Sequence, residues 1–396
     1  MRASWCVVAV ILSLAWPAPA SAQGQAARQS WTGHGAFVVR LGTDTTAVER
    51  FRRGAGRVEG EVVTRSPRTT WRSYTVELDR EGGVTRVTVA QRRPGASADA
   101  APQQTTVASF ANDSVTVEVR RDTAVQRRQL AAPRGTIPLF AGSYLPYELM
   151  LHARRHLRTP QDSVAVPTYP LGSAQIWSTV IRRAPRDSVV ISNAFGTYRA
   201  RVDRNGSLLG WTPTHGTQQV SLERLERLDV SAVAAAWTAR DQQGQSLGQL
   251  SPRDTTRAAV AGANLLVDYG RPSKRGRVIF GGVVPWNEVW RTGANQATHF
   301  VTDRDLVMGG VTVPAGTYTL WTLPSPSGWK LIVNRQTGQW GTVYSAEQDL
   351  ARLDMQVSSL GEVVERFAIR IEPSGQGGSL VLEWDTVRAA MPFTVR

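Results

Sequence analysis

Apolar and polar residues alternate with a period of two along most of this chain. Val84 to Ala90, Ser114 to Arg121 and Thr70 to Leu78 read this way, as do Gly35 to Arg40, Ile176 to Arg182 and Val189 to Phe195. Such alternation marks half-buried antiparallel strands. Asp203-Arg204-Asn205-Gly206 predicts a tight hairpin between Thr197 to Val202 and Ser207 to Trp211, with Asn-Gly supplying positive φ. Pro94 to Gln104 breaks the pattern with Gly, Ala, Ser and Pro and reads as a loop. One segment has a helical period instead: Leu145, Leu149 and His152, flanked by Tyr144, Tyr147, Met150 and Leu151, predict a helix over Ser143 to Leu157 packed against a curved sheet. A second run of short strands follows Ser251: Asn264 to Tyr269, Arg277 to Gly281, Thr298 to Thr302, Thr317 to Leu323, Trp329 to Asn334, Leu353 to Val357, Arg366 to Ile371 and Leu380 to Trp384. That spacing predicts an antiparallel β-sandwich.

The expected class is therefore mainly β. Residues 23–228 form an N-terminal antiparallel β domain wrapping one helix, residues 229–250 a linker, and residues 251–396 a C-terminal β-sandwich. The linker begins alanine-rich, at Val230 to Arg240, and ends in Gln, Gly and Ser without periodicity. Residues 1–22 read as a secretory signal peptide, with Arg2, an apolar run from Val7 to Trp16, and Ala20-Ser21-Ala22 before Gln23. The expected destination is periplasmic or extracellular, with no transmembrane segment in the mature chain. The single cysteine, Cys6, falls inside that segment, which leaves the mature chain without disulfide or thiol chemistry.

Charge is uneven. Residues 23–228 carry 29 basic against 17 acidic side chains, a balance of +12, whereas residues 229–396 carry 16 against 15, or +1. Export argues against nucleic acid as the partner and points to anionic lipid, glycan or a small carboxylate. The arginine pairs Arg52-Arg53, Arg120-Arg121 and Arg182-Arg183 lie in strands, where neighbours face opposite sides, so part of this charge is a solvated surface.

The densest stretch is Tyr269 to Phe300. It holds Arg271, Lys274, Arg275 and Arg277, then Gly281-Gly282, then Trp290-Arg291-Thr292-Gly293-Ala294-Asn295. Arginine forks match carboxylate or phosphate and tryptophan faces stack on sugars, so Arg271, Lys274, Arg275, Arg277, Trp290, Arg291 and Asn295 are the candidate ligand-binding residues. The competing account makes Arg291 a fold determinant tied to Glu288 or to loop carbonyls. An enzyme would draw on Glu288 as general base, His299 as acid and Arg291 as electrostatic stabiliser, in a hydrolase. No Gly-x-Ser-x-Gly elbow stands before a helix, and no phosphate-cradling glycine loop precedes one either. His152 and His156 have metal-pair spacing, but Arg154 and Arg155 lie between them; no metal, no cofactor and no oligomer is expected.

From Ser251 onward the motifs have a family counterpart. Ser251-Pro252-Arg253, Tyr269-Gly270-Arg271-Pro272-Ser273, Trp290 to Asn295, Pro314-Ala315-Gly316-Thr317-Tyr318 and Gln339-Trp340-Gly341 resemble the bacterial domain of unknown function (DUF) 2911. Trp286-Asn287 and Gln296 depart from its pattern. The N-terminal region is similar in architecture alone to envelope half-barrels that carry lipids. Together these readings imply an exported protein with a non-catalytic binding role at the envelope, the hydrolase being the alternative.

Overall fold

The computed structural model describes residues 33–96, 100–153, 162–216 and 218–396. The expected signal peptide, His156 and part of the Pro94 to Gln104 loop lie outside the described residues.

The N-terminal region is one sheet of fifteen strands. Its first arm comprises β1 (Gly33–Leu41), β2 (Asp44–Arg53), β3 (Arg57–Thr64), β4 (Thr70–Leu78), β5 (Val84–Arg92), β6 (Gln104–Ala111), β7 (Ser114–Arg121) and β8 (Ala124–Ala131). The second arm comprises β9 (Ile137–Leu139), β10 (Ser163–Pro170), β11 (Trp177–Ala184), β12 (Ser188–Asn193), β13 (Gly196–Val202), β14 (Leu208–Gly216) and β15 (Ser221–Leu225), with α1 (Leu145–Ala153) between β9 and β10. Each arm is a run of sequential neighbours, and the arms join at the middle where β1 pairs antiparallel with β15. Only β9 and β10 are parallel within it.

The order of strands requires the sheet to curl. β8 and β9 are its two edges, yet residues 132–136 alone connect them. Six Cα steps reach at most roughly 22 Å, whereas fifteen strands laid flat would span about 67 Å at ~4.8 Å spacing. The sheet therefore wraps on itself, and α1 sits in the concavity. Tyr144, Leu145, Tyr147, Leu149, Met150 and Leu151 share one buried cluster with residues of both arms, among them Phe37, Val58, Val87, Ile191, Tyr198 and Trp211. Residues 145–151 of the helix are all buried, which calls for apolar side chains all round, and Glu148 is the buried charge among them that requires a partner.

The predicted hairpin forms with different turn chemistry. Only Gly206 has positive φ; the Asp203 carboxylate instead accepts the N–H groups of Asn205 (2.9 Å) and Ser207 (2.7 Å).

The stretch read as a linker is laid on the first sheet. Asp229 caps α2 (Val230–Gln242) by accepting the Ala232 N–H at 2.9 Å. Val230, Ala234 and Trp237 cover the outer row Val38, Val48 and Val63. The following residues have no regular structure, but Gly248 bonds to both the Pro67 carbonyl (3.0 Å) and the Ser66 hydroxyl (3.0 Å).

The C-terminal region comprises β16 (Arg253–Val260), β17 (Ala263–Gly270), β18 (Thr298–Thr302), β19 (Leu306–Met308), β20 (Val311–Val313), β21 (Gly316–Ser325), β22 (Gly328–Asn334), β23 (Asp349–Ser374) and β24 (Gly377–Val395). β23 pairs with β22 over its first residues and with β24 beyond them, so it carries the chain from one layer of the sandwich to the other. Between the layers lie Leu265, Val267, Phe300, Leu320, Leu331, Phe367, Leu382 and Trp384. Leu353 to Val357 and Arg366 to Ile371 are thus parts of one bent strand whose register shifts after Ser359 and Val364. Arg277 to Gly281 is not a strand: the Arg277 side chain turns back onto the carbonyls of Ser273 and Lys274, and Gly281 N–H bonds to Val284 O at 2.8 Å. Among the described residues no helix is long and apolar enough to cross a membrane.

Candidate functional site

A cleft of about 670 Å³ opens where the two sheets meet. The N-terminal sheet contributes Leu41, Phe195, Thr214 and His215, the connecting segment Gln249 and Leu250, and the C-terminal sandwich Glu288 to Arg291 and Trp340 to Thr342. Beside it the two halves are fastened together. Thr43 N–H donates to the Arg275 carbonyl at 3.0 Å, and the Arg275 guanidinium pairs with Asp44. A Cβ on Gly276 would meet Thr43 Cγ2 at 2.7 Å.

The cations of the dense stretch are for the most part already neutralised. Arg271 bonds to Asp254 (2.7 Å) and the Phe367 carbonyl (3.0 Å), Lys274 to Asp385 (2.6 Å), and Arg275 to Asp44. These three hold the fold and the contact between halves, and none lines the cleft. Arg277 does line it; burial and then the neighbouring Arg275 push its guanidinium down to about 10.

Arg291 is different. Its Nε donates to the Gly293 carbonyl at 3.3 Å, and among the described residues no carboxylate pairs with it. Burial pushes its pKa down to about 10. Glu288, which could have been its partner, instead faces His215 across the cleft at 3.8 Å, with both side chains more than half exposed. The aliphatic stem of Arg291 passes over Gly341, where a Cβ would lie 2.4 Å from Arg291 Cδ and 2.6 Å from the Asn295 carbonyl. Here glycine is required by space. Asn295 itself is exposed, and its carbonyl accepts the Gly341 N–H at 2.9 Å, which ties the two cleft loops together.

The backbone around Arg291 is strained. Arg275, Asn287, Thr292 and Asn295 all have φ between 50° and 65°. Thr292 is β-branched, and such a residue in the left-handed region costs about 1–3 kcal/mol unless its surroundings over-determine it. They do: its hydroxyl donates to Thr322 Oγ1 (3.3 Å), and its carbonyl accepts from Thr298 Oγ1 (2.7 Å). This strain lies next to a half-buried cation that no carboxylate pairs with among the described residues.

Trp290 lines the cleft but is mainly structural, stacked on Trp384 with centroids 5.8 Å apart and edge-on to Phe367 at 5.1 Å. His299 lies elsewhere on β18. Its Nε2 accepts the Gly338 N–H at 3.0 Å, and burial, then Arg253, lowers its pKa. The cleft therefore unites Arg277, Glu288, Trp290, Arg291 and Asn295, and leaves out Arg271, Lys274, Arg275 and His299. It adds His215, Gln218, Gln219, Gln249, Trp340 and Tyr344, of which only Trp340 carried a sequence signal, in Gln339-Trp340-Gly341.

Residues 251–393 match the family model described as "Protein of unknown function (DUF2911)", in agreement with the motifs that begin at Ser251. No curated protein matches the chain. Among solved structures, the chain is similar to the crystal structure of a DUF1089 family protein from Pseudomonas aeruginosa, at 11% identity and a TM-score of 0.31, over 43% of this chain and 90% of that one.

Proposed function

We propose that this is an exported, non-catalytic binding protein of the bacterial envelope, and that its ligand enters the cleft between the two halves with an anionic group directed at Arg291. One observation carries this reading: Arg291 lines the cleft half-buried, and among the described residues no carboxylate pairs with it. A cation partly withdrawn from water and left unpaired is costly, and a ligand carboxylate or phosphate would supply the counter-charge. The hydrolase alternative is less well supported, because His299 is committed to Gly338 away from the cleft and Glu288 is solvated beside His215.

The test is a pair of substitutions. Arg291→Met keeps the buried stem and removes the charge, so the melting temperature is expected to stay level or rise while affinity for anionic probes is lost. Gly341→Ala is expected to displace the Arg291 stem, lose the same affinity and destabilise the C-terminal half by about 1–3 kcal/mol through overpacking. Ligand-observed NMR with inorganic phosphate and short carboxylates gives the binding readout, and thermal melts the other. If Arg291→Met melts far below wild type, Arg291 is a fold determinant and the reading fails.

A further inference from the structure

Resting on the cleft as an anion site, we propose that its ligand is an acidic saccharide, a chain of pyranose rings bearing carboxylates of the uronate type. Trp340 is the first reason. The other tryptophans of the cleft wall, Trp290, Trp321 and Trp384, are each at most 9% exposed, whereas Trp340 is 46% exposed. It directly precedes Gly341, under the Arg291 stem, and the exposed indole and the Arg291 guanidinium line the same cleft. An exposed ring held rigidly at a cleft is a platform for a flat, weakly polar face. The backbone that carries Trp340 is fixed by the bridge between Gln296 and Trp340 and by the Val343 N–H bond to its carbonyl at 2.9 Å.

The opposite wall selects among flat ligands. Gln218 uses its amide oxygen to accept from Tyr198 Oη at 3.3 Å, which leaves its amide N–H groups as donors. Gln219 uses its amide nitrogen to donate to the Gly216 carbonyl at 3.1 Å, which leaves its oxygen as acceptor. Adjacent residues thus present a donor and an acceptor, the complement of two neighbouring hydroxyls, each of which both donates and accepts. Gln249 and Thr342 add further polar groups on the same cleft. A fatty acid would satisfy Arg291 but leave these amides unpaired, at a cost. Glu288, exposed on the same wall as Arg291 and facing His215, can accept from a sugar hydroxyl and repels a second carboxylate at that point, which favours a saccharide over a simple dicarboxylate. The volume of about 670 Å³ suits a short oligosaccharide.

The experiment is calorimetry on the whole protein with five probes: uronate trisaccharides of gluco and galacto configuration, a neutral trisaccharide, octanoate and acetate. The expected result is tightest binding of a uronate trisaccharide, about tenfold weaker binding of it by Trp340→Ala, and unchanged acetate binding by that variant. Thermal melts of Trp340→Ala are expected to match wild type, since the ring is exposed. Octanoate or acetate binding as tightly as the trisaccharides, or Trp340→Ala binding them like wild type, overturns the saccharide and leaves the anion site standing. Equal binding of the neutral trisaccharide overturns the role of the carboxylate. If no anionic probe binds, the cleft reading itself fails, and the saccharide with it.

Discussion

Arg224→Ala should be the most damaging single substitution in the N-terminal half, at about 3–5 kcal/mol. The reason lies in what it leaves behind. Glu148 projects from α1 into the concavity of the sheet with its side chain 5% exposed, and Arg224 of β15 reaches it at 2.5 Å. The same guanidinium donates to the Leu208 carbonyl at 3.2 Å and lies 5.5 Å from the Phe37 ring and 5.3 Å from the Phe51 ring. Truncation would strand a carboxylate whose one other donor among the described residues is the Leu208 N–H at 3.1 Å. Replacing both partners, as in Glu148→Leu with Arg224→Met, removes the charge pair together and is expected to recover most of the loss. Urea denaturation of the two single variants and the double variant closes the cycle. An Arg224→Ala protein within 1 kcal/mol of wild type would mean that the pair does not fasten the helix to the sheet.

Stability of the same half should fall as pH rises from 4.5 to about 8. Glu49 is fully buried under α1, where it accepts from Tyr74 Oη (2.6 Å), Ser143 Oγ (2.6 Å) and Tyr144 N–H (2.7 Å). Gly60 makes the Tyr74 approach possible, since a Cβ there would sit 2.3 Å from Tyr74 Oη. Burial nevertheless dominates these donors and raises the carboxyl from 4.5 to about 7. With the folded pKa above the unfolded one, the native state holds the proton more tightly. The contribution is complete below 4.5 and is lost as pH passes through 7, a change of about 3 kcal/mol at ~1.4 kcal/mol per unit. His299 acts in the opposite sense: its lowered pKa means that stability in the other half is gained as pH rises toward 6.5. The difference between wild type and Glu49→Gln isolates the first effect. Parallel pH profiles of the two proteins would show that the Glu49 carboxyl titrates alike in the folded and unfolded chain, and would overturn the shift.

How far these features were legible in the sequence depended on the range of the interaction. β4 and β7 match their predicted bounds, because a half-buried strand writes its alternation locally. β8 was missed, since an edge strand almost wholly exposed, AVQRRQLA, has no buried face to alternate with. The Arg271 to Arg277 cluster looked like an anion site because its counter-charges, Asp254, Asp385 and Asp44, come from other strands and, for Asp44, from the other half. Arg291 was legible as an arginine of interest from its motif. Its lack of a partner was not, nor was His215, which meets Glu288 only because the two sheets dock.

The strand order has one more consequence, for how the chain gets there. Ala36 pairs with Leu225, 189 positions later, at the centre of the sheet, while every other pairing in either arm joins close neighbours. Contact order is therefore concentrated in a single seam, and closing it is the slow event expected for this half. A circular permutant of the N-terminal half that joined residue 225 to residue 33 and opened the chain within 132–136 would turn the same fifteen strands into one run of sequential neighbours, antiparallel except between β9 and β10. Every native contact of the sheet would survive, and the long-range seam would become a local hairpin.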